Sequence, residues 1–175
     1  MKLLVIDMQK GLAIDELYNF DGFMKKVVKL INKARKNNVE VIYFQHDAGA
    51  GTGLSAGDEA FEIADRVVPK ESEKVYVKTI NSCFGNADFA GYLKRSGEKE
   101  LMIVGLQTDF CIDATIKSAF EKGYKVFVPS GANTTFDNPL LPADKACKYF
   151  SEWIWQGSFA DCVSFAAALK LLEHN

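Results

Sequence analysis

Short apolar runs alternate with amphipathic stretches of helical period along the whole chain, and this alternation limits the fold more than any other feature. Leu3-Leu4-Val5-Ile6 reads as a buried strand ending at Asp7. Val39–Phe44, Val75–Val77, Leu101–Gly105, Lys125–Val128 and Phe159–Val163 read as further strands. Phe20 to Asn37 puts Phe20, Phe23, Val27, Leu30, Ile31 and Ala34 on one face and lysines on the other, a helix stopped by Asn37-Asn38. Ala87 to about Ser96-Gly97, Asp109–Lys122 closed by Gly123, Ala143–Trp155 and Phe165–Leu172 read as the remaining helices. Strands interleaved with helices predict an α/β fold: a doubly wound, Rossmann-like six-stranded parallel sheet with helices on both faces. A length of 175 residues, with no repeat or linker, fits one domain over residues 1–175.

Charge narrows the functional classes. The net charge is −2 with no basic block, so the clustered positive face of a nucleic-acid binder is missing. No apolar stretch has the length of a membrane span, and Met1 runs straight into a strand-like segment with no signal peptide. Cys83, Cys111, Cys147 and Cys162 are scattered and form no Cys-x-x-Cys pair, which predicts free thiols and a cytoplasmic protein. No Gly-x-Gly-x-x-Gly follows the first strand, which argues against a nucleotide or flavin binder.

In doubly wound sheets, ligands bind beyond the strand carboxyl ends. Asp7, Lys78 and the turn from Gly105 to Cys111 all fall there, so the fold itself predicts one crevice holding the three. Each has an ordinary reading: Asp7 a turn cap, Lys78 a solvated strand-edge lysine, Cys111 a small buried hydrophobe. Together they read as functional. A carboxylate closing an apolar strand needs a partner, and a lysine facing it supplies one. Lysine and a helix start are both expected to lower the Cys111 thiol pKa, and the helix start offers N–H groups to a developing oxyanion. The other three cysteines lack such a setting.

Four stretches carry a resemblance to a known family: Val5-Ile6-Asp7-Met8-Gln9; Val77-Lys78-Thr79 with Ser82-Cys83-Phe84; Val104-Gly105-Leu106-Gln107-Thr108-Asp109-Phe110-Cys111; and Ala114-Thr115 through Gly123-Tyr124-Lys125-Val126. In this order and spacing the chain resembles the isochorismatase-like cysteine hydrolases. The resemblance implies Cys111 as nucleophile, Asp7 as general base and acid, and Lys78 as the cation orienting both. It also implies a cis peptide at Leu106-Gln107 and an oxyanion hole from the N–H groups of Gln107 and Cys111. The implied reaction is hydrolysis of a small amide-type substrate through a thioester. Gln9, Leu12, Phe84 and Phe110 flank these positions as candidate pocket walls, and His46 as a candidate substrate contact.

The nicotinamidase branch binds a metal through several histidines after the second strand. This chain has only His46 and His174, so neither a metal nor any other cofactor is expected. Phe44-Gln45-His46-Asp47 and Thr134-Thr135-Phe136-Asp137 look closer to the branch that includes streptothricin hydrolase, which opens a lactam. The resemblance also implies a homodimer or larger homo-oligomer, for which Trp153, Trp155 and Phe159 offer an aromatic cluster. Two other readings remain open: a non-catalytic binding module on the same fold, and a thiol redox protein using Cys111.

Overall fold

A computed structural model describes residues 1–173, which leaves His174 outside the described residues. Seven strands form one parallel sheet: β1 (Lys2–Ile6), β2 (Glu40–His46), β3 (Lys74–Lys78), β4 (Glu100–Leu106), β5 (Lys125–Pro129), β6 (Asn133–Thr134) and β7 (Asp161–Val163). Their order is β3-β2-β1-β4-β5-β7, with β6 also on β4. The chain winds outward from β1 through β2 to β3, then returns to build the other half from β4. The crevice of a doubly wound sheet opens at such a reversal, between the carboxyl ends of β1 and β4. Register places Ile6 beside Phe44 and Gly105, and His46 beside Lys78, so the predicted site residues lie along one sheet edge.

β1 is buried on both faces, and this is why its sequence is a continuous apolar run rather than an alternation. Leu3 and Val5 face one layer with α1 (Phe20–Lys36) and α5 (Phe165–Leu171); Leu4 and Ile6 face the other with α2 (Ala87–Ser96), α3 (Asp113–Glu121) and Trp155. Helices therefore cover both faces.

Several boundaries differ from the sequence expectation. β6 was not expected: it has two polar residues and no apolar run, and exists because Asn133-Thr134 takes up β4 at Gly105-Leu106, beyond the stretch paired with β5. The segment expected as a helix from Asp109 opens instead with a π turn, Thr108–Ile112, before α3 begins; the Ile112 N–H reaches the Gln107 carbonyl at 3.1 Å. Likewise α4 (Ala143–Tyr149) passes into a second π turn at Phe150–Trp155. The last strand is shorter than Phe159–Val163, since Ala160 makes only an isolated bridge to Gln156. Periodicity cannot separate a π turn from an α-helix, because both extend the same apolar face.

Two devices hold the strands in place, one at each end. Gly105 has φ 122°, and a Cβ there would lie 2.1 Å from the Ile6 carbonyl oxygen. Only glycine lets β4 approach β1 this closely and bend into the turn from Gly105 to Cys111. At the opposite end of the strands, Glu40 accepts hydrogen bonds from Lys2, Lys74 and Tyr92, tying β1, β2, β3 and α2 together. Burial alone would raise the Glu40 carboxyl; these donors outweigh it and hold the pKa at about 2.

Gly105→Ala should lower stability by more than about 2 kcal/mol, seen as a fall in Tm. For Glu40 the folded pKa lies below the ordinary value of 4.5, so its stabilisation is complete above 4.5 and drains away as pH falls toward about 2. Melts across that window should show a steeper acid loss for wild type than for Glu40→Gln; parallel losses would contradict the assignment.

Candidate active site

Asp7 leaves β1 in the left-handed region, at φ 54°, a costly conformation for a residue other than glycine. Its N–H donates to the Phe44 carbonyl at 3.0 Å, and the turn aims the carboxylate along the crevice. Lys78, the last residue of β3, donates to Asp7 Oδ2 at 2.9 Å and lies 3.2 Å from Cys111 Sγ. It also reaches the Ile80 carbonyl at 3.3 Å and lies 3.3 Å from His46 Nδ1. Asp7 and Lys78 are only 1% and 2% exposed, and Cys111 7%. The second carboxylate oxygen, Asp7 Oδ1, is buried without any hydrogen-bond partner. A buried oxygen left unpaired is uncommon and calls for an explanation; here it is free to accept a proton.

Burial raises the Asp7 carboxyl, with Lys78 and Cys111 opposing that rise. Burial works against the Lys78 ammonium too, but Asp7 and then Cys111 outweigh it and the pKa is raised. The Cys111 thiol is pushed up to about 12, first by burial and then by Asp7, with Lys78 pulling the other way. The expected lowering of this thiol is therefore overturned. Cys111 lies in the π turn rather than at the start of α3, it is withdrawn from water, and the Asp7 charge disfavours a thiolate. What remains is a protonated thiol beside a carboxylate of raised proton affinity, and a cation held by that carboxylate.

The remaining predicted residues separate into several roles. The Leu106-Gln107 peptide is cis, and the Gln107 carbonyl accepts from the N–H groups of Phe110 and Ile112. Thr108 donates to Asn133 at 2.7 Å and Thr135 to Asp109 at 2.6 Å, which ties this turn to the β6 segment. Gln9 is fully buried and is a tie rather than an open wall: its amide donates to the His46 and Phe61 carbonyls and accepts from the His46 N–H. Leu12 packs against the α1-side core, and Phe84 packs against Phe89 and Tyr124 on the other side. Phe110 is 53% exposed next to Cys111, and His46 is half-buried against Lys78. Of the proposed aromatic cluster, Trp155 is buried with its indole N–H on Asp113, Phe159 stacks edge-on against Phe120, and only Trp153 stands out in solvent, at 75% exposure. Among the described residues no helix is long and apolar enough to cross a membrane.

Two neighbours were not legible in the sequence. Asn81 Oδ1 lies 3.7 Å from Cys111 Sγ, and the Ile80 carbonyl faces the ammonium. Their only sequence signal was proximity to Lys78. A cleft of about 850 Å³ lies elsewhere, lined by residues including Asn19, Lys26, Ser151 and Cys162. It touches the turn that carries Cys111 from behind, through Asn133 and Cys147, and does not contain the three central side chains. A buried ion pair against a thiol is a stronger mark of chemistry than cleft volume.

One atom each of Asp7, His46 and Cys111 lies within 4.8 Å of the others, a spacing that suits a metal. The Lys78 ammonium stands within hydrogen-bond distance of all three, so a cation already takes the place a metal would need. The donor set does not fit a metal while Lys78 is in place.

The family model for the Isochorismatase domain matches residues 2–153. The chain belongs to the isochorismatase family. It is 33% identical over 151 residues to YddQ, an isochorismatase family protein of Bacillus subtilis, spanning 81% of this chain and 84% of that one. Streptothricin hydrolase of Streptomyces noursei is 27% identical over 142 residues, 80% of this chain and 56% of the longer protein. A crystal structure of an isochorismatase family protein superposes with a TM-score of 0.85 at 28% identity, covering 93% of this chain and 97% of the other. The protein is thus an isochorismatase-family hydrolase.

Because Asp7 holds the Cys111 pKa up, Asp7→Asn should make Cys111 react faster with iodoacetamide at a given pH. In wild type the alkylation rate, followed by mass, should climb with pH without a plateau until about 12. A plateau near neutrality would mean a preformed thiolate and contradict this account.

Proposed function

We propose that the protein hydrolyses a small amide-type substrate through a thioester on Cys111, with Asp7, Lys78 and Cys111 acting as a triad. The observation that carries the reading is the split duty of the Asp7 carboxylate: Oδ2 is held by Lys78 at 2.9 Å and Oδ1 is unengaged.

In this reading Oδ1 takes the thiol proton as Sγ attacks the substrate carbonyl carbon, so ionisation and bond formation proceed together. The raised thiol pKa suits that order, since no free thiolate has to accumulate. The carbonyl oxygen becomes an oxyanion, received by the N–H groups of Gln107 and Cys111. Lys78 balances the charge as it passes from carboxylate to sulfur, being within reach of both. The protonated Asp7 then gives its proton to the departing amine nitrogen as the C–N bond breaks, leaving the acyl group on sulfur. Asp7, again a carboxylate, removes a proton from water as it attacks the thioester, and the acid product leaves with the thiol restored. Phe110 and Asn81, at the mouth, are placed to meet the substrate. The likeness to a streptothricin hydrolase favours a C–N bond as the target.

Acyl-enzyme trapping tests the proposal. Incubation with a panel of primary amides, N-carbamoyl compounds and lactams, followed by an acid quench, should leave a mass adduct on Cys111. Cys111→Ala should abolish it, and Asp7→Asn should reduce it despite its more acidic thiol. No adduct from any class would favour a binding module. A Cys111 adduct released by reductant, with no acyl group, would favour a redox protein.

A further inference from the structure

Lys78 has more acceptors than protons. An ammonium carries three N–H bonds. Four acceptor atoms surround this one: Asp7 Oδ2 at 2.9 Å, Cys111 Sγ at 3.2 Å, and His46 Nδ1 and the Ile80 carbonyl at 3.3 Å. One of them goes unserved in every state of the site. We propose that His46 is a positioning residue that occupies one Lys78 N–H while Cys111 is a thiol and yields it to sulfur when the thiol ionises. The inference rests on the triad reading above and adds a fourth side chain to it.

The acceptors rank by charge. Asp7 Oδ2 is the nearest acceptor and keeps its ammonium N–H throughout, a charge-assisted bond while Asp7 is a carboxylate and still an acceptor once Oδ1 has taken the thiol proton. A thiol sulfur is a weak acceptor, so in the resting site the other two protons go to the Ile80 carbonyl and to His46. A thiolate is a strong acceptor and must displace one of those neutral partners. Ile80 offers a backbone oxygen fixed by the turn after β3, whereas His46 offers a ring that turns about its side-chain bonds. The ring is the partner that gives way.

Gln9 makes the ring's resting place reproducible. Its buried amide accepts from the His46 N–H at 2.7 Å and donates to the His46 carbonyl at 3.0 Å, gripping the backbone of this one residue on both sides. Gln9 lies two residues after Asp7, so one short segment supplies both the base and the clamp. For Nδ1 to face an ammonium it must carry a lone pair, which puts the ring proton on Nε2 and keeps the imidazole neutral. The charged and titratable groups facing the ring are Lys78 from β3, Asp7 beyond β1, Cys111 from the nucleophile turn, and neighbouring Asp47. Burial and then Lys78 lower the His46 pKa below its ordinary 6.5, with Asp7 and Asp47 opposing, consistent with a ring that stays neutral.

The chain has two histidines, so a long-range proton–nitrogen-15 spectrum of the intact protein, assigned with His46→Asn, reads the ring directly. The expected state is the Nε2–H tautomer with Nδ1 unprotonated, titrating below the ordinary histidine range. An Nδ1–H tautomer, or an ordinary titration, overturns the proposal. A second measurement follows iodoacetamide labelling of Cys111 by mass at neutral pH. His46→Leu leaves an ammonium proton that only sulfur can accept, so labelling should speed up about fivefold, the worth of one ordinary hydrogen bond. His46→Asn, whose Oδ1 stands where Nδ1 stood, should restore most of the difference. An unchanged or slower His46→Leu, or a His46→Asn that matches it, overturns the proposal; if His46→Leu does not fold, the wild-type tautomer decides. Neither readout uses a substrate, so a failure of acyl trapping leaves this test legible.

Discussion

Burying a carboxylate and an ammonium together is expensive, and the attraction between them repays the cost only when their geometry is good. Asp7 and Lys78 meet at 2.9 Å with almost no exposure, at the ends of two strands that are not neighbours: β2 lies between β1 and β3. The pair is therefore a demand on the whole sheet. Register must bring His46 beside Lys78, Asp7 must turn through the left-handed region, and Gln9 must satisfy the backbone between them. Apolar residues of similar volume would stabilise such a position at least as well. The retention of two charges here is best understood as chemistry rather than stability.

The same burial accounts for the state of the thiol. A cysteine activated in advance would need water, or an excess of positive charge. Cys111 has neither, because the one nearby cation is already claimed by Asp7. The site keeps its thiol protonated and one oxygen of the adjacent carboxylate unpaired. Such a thiol is shielded from idle reaction. The ammonium lies within reach of carboxylate, sulfur and imidazole at once. This also explains why three potential metal donors converge without needing a metal.

Around that centre the two π turns matter more than their length suggests. The first widens the helix at Thr108–Ile112 and places Cys111 between the strand end and α3; the second sends Trp155 back to hydrogen-bond Asp113 at the start of α3. β6, only two residues long, braces the Cys111 turn through Asn133. Irregular backbone is thus concentrated at the carboxyl edge of the sheet, where a rigid core on both faces can hold it.

Much of this was legible in the chain itself. The continuous apolar run Leu3–Ile6, the heptad-like face of Phe20–Asn37 and the regular return of strands dictated a parallel sheet covered on both sides, because only burial on two faces explains unbroken apolar strands. Asp7, Lys78 and Cys111 were legible for the same reason: a charge or thiol at the end of such a strand has little else to do. The sequence was silent on β6, on the π turns and on Asn81, since pairing of two polar residues and widening of a helix leave no period to read. It also misjudged the thiol. Proximity to a lysine and a helix start argued for a lowered pKa, but depth of burial and the sign of the nearest unshielded charge are properties of three-dimensional arrangement. Likewise Gln9 and His46 were separate residues in the chain and became one clamp only when β1 and β2 were paired. Local patterning therefore determined which residues would be inside and on which strand ends; the tertiary structure alone decided which atoms compete for each proton, because that depends on distances of about 3 Å between segments far apart in sequence.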